Sequence, residues 1–384
     1  MAAFEPVLLR PQELSLSEKL SLLNWPFVLL VVPAFGIIGY LVLYSAAGGA
    51  HEPWAWRHAL RFALGYAVML GVAFVDIRFW HRWAHVFYGL VIVLLLAVDI
   101  VGSINKGAQR WLAFGPFQLQ PSELAKLALV LMLARFYHGL RLEDVGRPIH
   151  LIVPLALIGL PAALTVAQPD LGTGVLIVAL GGGLMFLAGV RIWKFVLAGG
   201  LLAAAVPLVW TRLHDYQRER VLTFLDPERD PLGAGYHIIQ SKIALGAGGL
   251  AGRGFLHGTQ AQLDFLPEKQ TDFAFTLLAE ETGFVGAATV LTLCLMVAFV
   301  ALRISLRATS DFGRLVAMGV GLNFSIHAVV NIAMVTGLVP VVGVPLPLIS
   351  YGGTAMLTTL FGFGLMLSAD IHRALRVPRH PGEL

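Results

Sequence analysis

The sequence predicts an all-α polytopic membrane protein with about ten transmembrane helices and one long extracytoplasmic loop that carries short helices. Of its 384 residues, 57% are hydrophobic and only 13% are charged, and the mean hydropathy is +0.78. Soluble domains carry about 25% charged residues, so this chain lacks the polar surface that a soluble fold needs. Its apolar residues form continuous runs instead of alternating with polar ones, which favours membrane helices over a membrane β-barrel.

The individual helices are predicted from the lengths of the apolar runs. A bilayer core about 30 Å thick is crossed by roughly 20 helical residues, and ten runs approach that length. They cover residues 27–46, 58–75, 84–101, 122–139, 149–167, 171–189, 193–210, 273–303, 313–335 and 348–369. The chain is therefore predicted to form a single integral membrane domain, 1–384, with terminal tails at 1–26 and 370–384.

The orientation of these spans is predicted from the charges of the short loops. Ten spans place both termini on the same side of the membrane, and Lys and Arg residues of short loops concentrate on the cytoplasmic side. If the termini are cytoplasmic, the inner loops contain Arg78, Arg82 and Arg147, whereas the outer connections 168–170 and 336–347 contain no Lys or Arg. Both termini are therefore predicted to be cytoplasmic.

Residues 211–272 form the one long connection, which this orientation places on the outer face. It contains seven Lys or Arg residues and eight Asp or Glu residues. Loops of this length are uncommon unless they are functional, so its cations, Arg220 among them, are candidate ligands for an anionic substrate. Residues 237–245 have the spacing of an amphipathic helix, which predicts a short helix at the membrane surface.

A first polar site lies at the start of the fourth apolar run. Pro121 and Ser122 predict the start of a helix, with Ser122 as a candidate cap. Glu123 then lies in the first turn, where the helix dipole favours an acid, and Lys126 follows at a spacing that allows an ion pair. Two interpretations remain open: a capped helix with a self-neutralising pair, or a polar pocket at the outer face.

Arg110 and Trp111, just upstream, favour the pocket. An arginine can bind a phosphate through two parallel hydrogen bonds. A tryptophan at the membrane interface either stacks on a sugar or anchors in the lipid headgroups.

A second polar site, residues 168–174, contains Asp170 and Thr173, which can cap the next helix. The position of Asp170 between two spans also makes it a candidate wall of a cavity.

The third polar site, residues 258–281, contains the candidate catalytic carboxylate. Asp272 or Thr271 can cap the eighth helix, which is the structural interpretation. However, the fully apolar stretch begins only near Gly283. Residues 272–282 therefore either project from the membrane or line a wet cavity that contains Glu280 and Glu281, and a carboxylate at such a place can act as a base.

Several common site types are absent from the sequence. The glycine-rich segment 246–254 lacks the spacing of a dinucleotide-binding motif. Cys294 is the only cysteine, and the twelve histidines show no metal-binding spacing. His327 lies four residues from both Asn323 and Asn331, and such a polar stripe typically forms hydrogen bonds between membrane helices.

Together, the motifs resemble the SEDS family (shape, elongation, division, sporulation). They occur in order over residues 107–353 and include GAQRW (107–111), QPSELAK (120–126), QPDLGTG (168–174), GTQ (258–260), LPEKQTDFAF (266–275) and GLVPVVGVPLPLISYGG (337–353). The GTQ motif and the short N-terminal tail are more similar to the rod-shape-determining RodA branch than to the cell-division FtsW branch.

This resemblance implies a peptidoglycan glycosyltransferase that polymerises lipid II on the outer face of the bacterial cytoplasmic (inner) membrane for cell elongation and rod shape. It implies Asp272 as the catalytic carboxylate. It also implies a class B penicillin-binding protein transpeptidase and other membrane proteins of the elongation complex as partners. No dedicated cofactor is expected, although a divalent cation, Mg²⁺ or Mn²⁺, can share the charge of the substrate diphosphate.

The implied reaction needs one base and several cations. Asp272 removes the proton from the acceptor hydroxyl, and one displacement at the anomeric carbon inverts its configuration. The candidate substrate-binding or pocket residues are Arg110, Trp111, Ser122, Glu123, Lys126, Asp170, Arg212, Arg218, Lys242, Arg253, Glu268, Lys269, Glu280 and Glu281. The alternative functions are a flippase for lipid-linked sugars, which needs a polar path through both leaflets, and a non-catalytic scaffold of the cell-wall synthesis complex.

Overall fold

The computed structural model describes residues 14–105, 108–114, 117–212, 218–219, 222–224, 226, 234–263, 265–266 and 268–379. The beginning of the predicted N-terminal tail, the candidate cation Arg220, parts of the long loop and the last five residues lie outside the described residues.

Each of the ten predicted apolar runs coincides with a helix. The helices are α1 (Leu16–Leu22), α2 (Val32–Ala46, preceded by a π-helical turn at Phe27–Val31), α3 (Ala55–Phe74), α4 (Ile77–Val101), α5 (Pro121–His138), α6 (Leu142–Val145), α7 (Pro148–Ala167), α8 (Leu171–Leu187), α9 (Ile192–Arg212), α10 (Ala234–Gly248), α11 (Thr259–Gln262), α12 (Ala274–Arg307), α13 (Asp311–Val335) and α14 (Gly353–Ile371).

By length and composition, six helices of the described chain are able to cross a membrane. They are Phe27–Ala46, Ile77–Ile100, Pro148–Ala167, Ala274–Arg307, Asp311–Val335 and Gly353–Ile371, and α8 and α9 add shorter apolar segments. The predicted fold class, an all-α polytopic membrane protein, is confirmed. The count of ten spans, the orientation of the termini and the division into one domain with two tails stay predictions.

A small antiparallel sheet between α4 and α5 was not predicted. Its strands are β1 (Ser103–Asn105), β2 (Ala108–Phe114) and β3 (Phe117–Leu119), in the order β1-β2-β3. The sheet contacts the start of α14, where the Thr354 hydroxyl donates a 2.9 Å hydrogen bond to the carbonyl of Gln118. The three-residue strands β1 and β3 are too short for an alternating pattern to reveal them, and β2 does not alternate between apolar and polar residues.

Helix α5 forms the centre of the bundle, whereas α9 lies at its edge. Helix α5 packs against α4, α7, α8, α13 and α14, and its residues 127–131 are all buried. Helix α9 leaves large apolar side chains exposed, including Val196 (69%) and Leu202 (69%). In a membrane protein such side chains contact lipid, so α5 supplies the protein core and α9 faces the bilayer.

Helix α12 is broken at Gly283, where φ is 67° and ψ is −160°. This break divides a first segment, residues 274–282, from the apolar remainder. The glycine-rich segment packs against the break, because the amide of Phe284 donates to the carbonyl of Gly249 at 2.9 Å. A Cβ atom at Gly252 would lie only 2.1 Å from the carbonyl oxygen of Glu281. The glycines at 246–254 therefore serve close backbone packing.

The helix predicted at 237–245 is confirmed within α10. Its Ser241 side chain is fully buried and lies 2.8 Å from the Thr276 hydroxyl, and it donates to the carbonyl of Val335 at 2.7 Å. Helix α10 is thereby fixed against the first segment of α12 and the end of α13. Its predicted location at the membrane surface stays a prediction.

Candidate active site

Asp272 lies in the loop just before α12, and its side chain is partly exposed. Helix α12 begins at Ala274 with Phe273 as its N-cap residue and without a side-chain capping bond. The interpretation of Asp272 or Thr271 as the helix cap is therefore wrong. Thr271 instead bonds within its own loop, because its hydroxyl donates to Glu268 Oε2 at 3.0 Å.

The loop of Asp272 meets the irregular segment between α13 and α14. A Cβ atom at Gly343 would lie 3.6 Å from Asp272 Oδ2, so the carboxylate lies beside this glycine. The amide of Tyr351 donates to the carbonyl of Gln270 at 2.8 Å. The buried Asn331 side chain donates to two carbonyls, that of Asp272 at 2.9 Å and that of Val344 at 2.7 Å. Two chain segments that are distant in sequence thus enclose the carboxylate.

Lys126 forms a buried polar centre with Glu123 and His327. Its side chain is 1% exposed, and its Nζ lies 2.7 Å from Glu123 Oε1 and 2.6 Å from His327 Nε2. His327 Nδ1 lies 2.7 Å from the carbonyl oxygen of Asn323. Because a carbonyl only accepts, Nδ1 carries the proton and Nε2 accepts from the Lys126 ammonium. The predicted Glu123–Lys126 pair is present.

Two members of this polar centre, Glu123 and His327, also line a small cavity. Asn323, residues 345–348 and Ser350 contribute to the same lining. The ion-pair and pocket interpretations are therefore compatible. The predicted cap at Ser122 is wrong: the N-cap residue of α5 is Gln120, it makes no side-chain capping bond, and Ser122 is buried in the first turn.

Arg110 and Asp170, predicted in separate polar sites, are brought together. Arg110 Nε donates to the carbonyl of Gln168 at 3.2 Å, and Nη2 donates to that of Pro169. Arg110 Nη1 lies 3.9 Å from Asp170 Oδ1. Arg110 therefore attaches the sheet to the connection between α7 and α8, and Trp111 is partly exposed in the same strand.

The predicted cap at Asp170 is confirmed. Its carboxylate accepts from the Thr173 amide at 3.2 Å and from the Thr173 hydroxyl at 2.9 Å. Asp170 is 6% exposed. Its carboxylate is therefore occupied by the first turn of α8 and by Arg110, which is the arrangement expected of a structural acid.

Glu280 and Glu281 are buried, at 0% and 4% exposure. Glu280 Oε1 accepts from the Gln260 amide at 2.9 Å and from the Thr259 hydroxyl at 3.2 Å. Glu281 Oε1 accepts from the Ser45 hydroxyl. The expectation that these two acids line a wet cavity is wrong, because the GTQ segment and α2 pack over them. The alternative, that residues 272–282 project from the membrane, stays a prediction.

The remaining candidate site residues, Glu268 and several cations, fall into two groups. Lys269 and Glu268 lie in the loop of Asp272, and Glu268 adopts a positive φ of 54°. Lys242 is exposed on α10, and its Nζ would lie 2.8 Å from a Cβ atom at Gly337, where the irregular segment begins. Glu268 and Lys269 thus belong to the loop of Asp272, and Lys242 lies beside the start of the irregular segment.

The second group lies on other elements. Arg212 is exposed at the last position of α9. Arg218 donates to the carbonyls of Trp210 and Thr211, both at 3.0 Å, at the end of that helix, where cations are favoured. Arg253 Nε donates to the carbonyl of Ala247 at 3.4 Å.

Arg61 and Asn331 were missed as site residues. Arg61 is partly exposed on α3, and its Cζ lies 5.0 Å from the centre of the Tyr351 ring, which is within cation–π range. Its only signal in the sequence is a charge inside an apolar run. Asn331 was assigned to a stripe that joins helices, but in the structure it binds two loops.

The described residues contain no group of three or more His, Cys, Asp or Glu side chains that is placed to hold a metal ion. Asp272, the partly exposed Glu123 and the buried Asp170, Glu280 and Glu281 are each held in different surroundings. A metal ion at this site would therefore take most of its ligands from a bound substrate or from water.

A family model described as a cell cycle protein, covering FtsW, RodA and SpoVE, matches residues 25–375. The chain belongs to this FtsW/RodA/SpoVE family. The resemblance to the SEDS proteins is thereby confirmed, and the matched region includes Asp272, Lys126 and Asn331.

Relatives of this FtsW/RodA/SpoVE protein include the peptidoglycan glycosyltransferase MrdB of Escherichia coli strain K12. It is 47% identical over 357 residues, which cover 91% of this chain and 94% of MrdB. A similar solved structure is a chain of a peptidoglycan synthase complex that concerns the structural coordination of polymerization and crosslinking. It is 33% identical to this chain, with a TM-score of 0.79, and the match covers 92% of this chain and 99% of that one. The rod shape determining protein RodA of Thermus thermophilus is 27% identical with a TM-score of 0.70, and the match covers 92% of this chain and 98% of RodA.

Proposed function

We propose that this FtsW/RodA/SpoVE protein is a peptidoglycan glycosyltransferase of the bacterial inner membrane that polymerises lipid II for cell elongation. The observation that carries the proposal is the placement of Asp272. It is a partly exposed carboxylate that does not cap its helix, and two loops that are joined through Asn331 and Tyr351 enclose it. Family membership and 47% identity to MrdB support the same activity.

In the proposed mechanism, Asp272 acts as the general base. It takes the proton from the 4-hydroxyl of the acceptor sugar while the oxygen attacks the anomeric carbon of the donor. The bond from that carbon to the lipid diphosphate breaks, and the diphosphate leaves with the electron pair. A positioned base contributes about 10²–10⁴-fold to such a step. One displacement inverts the anomeric carbon, so no second carboxylate is needed as a nucleophile.

Cations on or beside the loops that enclose Asp272 would offset the charge of the leaving diphosphate. Lys242 and Lys269 are suited to this role because they lie on or beside the loops that enclose Asp272. Lys126 is neutralised by Glu123 and is 1% exposed, so its proposed role is to maintain the cavity wall. A Mg²⁺ or Mn²⁺ ion would bind mainly through the diphosphate oxygens and would supply further charge stabilisation.

The proposal requires the loops around Asp272 to face the outside, with both termini cytoplasmic. A Cys294→Ser protein with one new cysteine, Leu250→Cys or Arg307→Cys, tests this in spheroplasts with an impermeant thiol reagent. Leu250 is 77% exposed, and Arg307 ends α12 at the opposite end. Labelling at 250 alone is expected; labelling at 307 alone overturns the orientation and the outward-facing site.

The proposed partners are a class B penicillin-binding protein transpeptidase and other membrane proteins of the elongation complex. Support comes from the similarity to a chain of a synthase complex that coordinates polymerization with crosslinking. Purification of the tagged full-length protein in mild detergent is expected to recover the transpeptidase in a constant ratio. Recovery of the protein alone after chemical crosslinking in cells would contradict the proposal.

Polymerisation of purified lipid II by the purified full-length chain tests the activity itself. Glycan strands longer than the disaccharide unit are expected from the wild-type protein and not from the Asp272→Asn variant. Transfer of lipid II across vesicle membranes without polymerisation would instead identify a flippase. The absence of both activities would favour the scaffold function.

A further inference from the structure

Asn331 occupies the junction between the loop of Asp272 and the loop of Gly343. Its side chain is 0% exposed, and its Nδ2 donates to the carbonyls of Asp272 and Val344 at 2.9 Å and 2.7 Å. We propose that Asn331 is a positioning residue for the reaction: it fixes the backbone that carries the Asp272 carboxylate against the opposite loop. This inference rests on the proposed function, because it assumes that Asp272 is the base.

The orientation of the amide is determined by its partners. Both neighbours are carbonyl oxygens, which only accept, so the NH₂ group must face them. A flipped amide would place its oxygen against two other oxygens. Each of the two donor hydrogens of Asn331 therefore has one assigned acceptor, and a single side chain joins two segments of main chain.

The side-chain oxygen of Asn331 supports a role beyond packing. Asn331 Oδ1 is buried and makes no hydrogen bond to the described part of the chain. A buried acceptor without a partner lowers stability, so such groups are uncommon in native proteins. Burial of Asn331 therefore costs stability at Oδ1, whereas its Nδ2 joins the two loops through two hydrogen bonds.

The two loops determine where the carboxylate lies. Asp272 Oδ2 is close to Gly343, the residue before Val344. The Tyr351 amide forms a second connection between the same loops by donating to the carbonyl of Gln270 at 2.8 Å. Loss of the Asn331 bonds would leave that connection in place but would free the segment next to the carboxylate.

Asn331 also relates Asp272 to the buried Lys126 centre. It lies four residues after His327 on α13, which corresponds to about 6 Å along the helix and to the same face. His327 binds Lys126 at 2.6 Å. One face of α13 therefore sets both the position of the base and the position of the cavity wall below it.

Ser241 provides a matched control. It is also 0% exposed, and it also joins segments of chain, since it donates to the carbonyl of Val335 at 2.7 Å and lies 2.8 Å from the Thr276 hydroxyl. Its bonds fix α10 to α12 and α13 and do not involve the loop of Asp272. Replacing Ser241 by alanine removes a comparable buried connection without releasing the base.

The experiment compares lipid II polymerisation by the purified full-length wild-type, Asn331→Leu and Ser241→Ala proteins, together with their melting temperatures. Leucine has the same branched arrangement of side-chain heavy atoms as asparagine but no donor. Because small displacements of a catalytic group are costly, its kcat is expected to fall by about 10- to 100-fold while KM changes by less than about twofold. Ser241→Ala is expected to lower the melting temperature while kcat changes by less than about twofold.

A kcat of Asn331→Leu equal to that of Ser241→Ala, at a temperature where both are folded, would overturn the inference. If Asn331→Leu does not fold, the variant Asn331→Ser, which retains one donor, replaces it. Its kcat is expected to fall by at least about fivefold. An unchanged kcat of Asn331→Ser would overturn the inference. Wild-type polymerisation is measured first. Its absence would refute the proposed function and this inference together, whereas an active wild type with an unaffected Asn331→Leu variant refutes this inference alone.

Discussion

Asp272 and the pair Glu280–Glu281 belong to the same stretch of chain, but their surroundings differ. Asp272 is partly exposed, lies outside α12 and is enclosed by loops. Glu280 and Glu281 lie inside α12, at 0% and 4% exposure, and accept hydrogen bonds from the GTQ segment and from Ser45. The same chemical group, a carboxylate, thus lies at an accessible loop in one case and attaches a loop in the other.

This difference shows what makes a carboxylate available for chemistry. A buried acid whose oxygens accept fixed protein donors cannot approach a substrate, and its removal affects mainly stability. A partly exposed acid on a loop that is held from both sides can receive a proton with little rearrangement. Substitutions at these acids and at neighbouring charges test the comparison.

The largest effect is expected for Asp272→Asn. The amide has the same shape but is not a base, so turnover should fall by about 10²–10⁴-fold with little change in melting temperature. Lipid II polymerisation by the purified variant measures this. Asp226→Asn, an exposed acid of the same long loop, is the control and should retain activity. More than a tenth of wild-type turnover in Asp272→Asn would show that Asp272 is not the base.

Lys126→Met is expected to lower stability strongly. It leaves Glu123, whose side chain is only 11% exposed, without its cation and removes the donor to His327 Nε2, at a cost of about 3–5 kcal/mol. The double variant Glu123→Gln/Lys126→Met should recover a large part of this loss, because it removes both charges. Thermal melting in detergent measures both variants. A double variant no more stable than Lys126→Met would show that the ion pair is not what holds this centre.

Glu280→Leu should affect stability more than turnover. It removes the acceptor of the Gln260 amide and the Thr259 hydroxyl, which costs about 1–3 kcal/mol. Turnover of the folded variant should stay within about threefold of the wild type, because the loop of Asp272 is unchanged. Comparison of melting temperature with low-temperature turnover separates the two effects. A loss of turnover as large as that of Asp272→Asn would remove the distinction between the two kinds of acid.

The smallest effect is expected at Asp76, an acid in the short connection before α4. Burial raises the pKa of Asp76, but the hydrogen bonds and charge of Arg78 outweigh it and lower that pKa below its usual value. The ionised Asp76 carboxylate therefore stabilises the folded protein. This stabilisation is fully present above the unfolded pKa of about 4 and is lost as the pH falls through the lower pKa of the folded state. The difference in melting temperature between wild type and Asp76→Asn should shrink below pH of about 4. A difference that grows on acidification would reverse the sign of this shift.

The surroundings of the polar residues show how far sequence analysis reached. Asp272 was predicted from its motif and from its distance to the apolar stretch at Gly283, and Gly283 is where α12 breaks. The ion pair Glu123–Lys126 was predicted from its helical spacing, because residues on one helix have fixed neighbours. Glu280 and Glu281 were misinterpreted, since nothing in their own segment shows that Ser45 and Gln260 cover them.

The sequence by itself determined the membrane class, the positions of the helices and the candidate base, because hydropathy and helical periodicity act over about 20 neighbouring residues. Only the tertiary structure decided which polar groups meet. His327 binds Lys126, Arg110 meets Asp170, and Asn331 joins the loops of Asp272 and Val344. Such contacts join residues far apart in sequence, and they depend on how helices pack against one another. Local patterns carry no information about that packing.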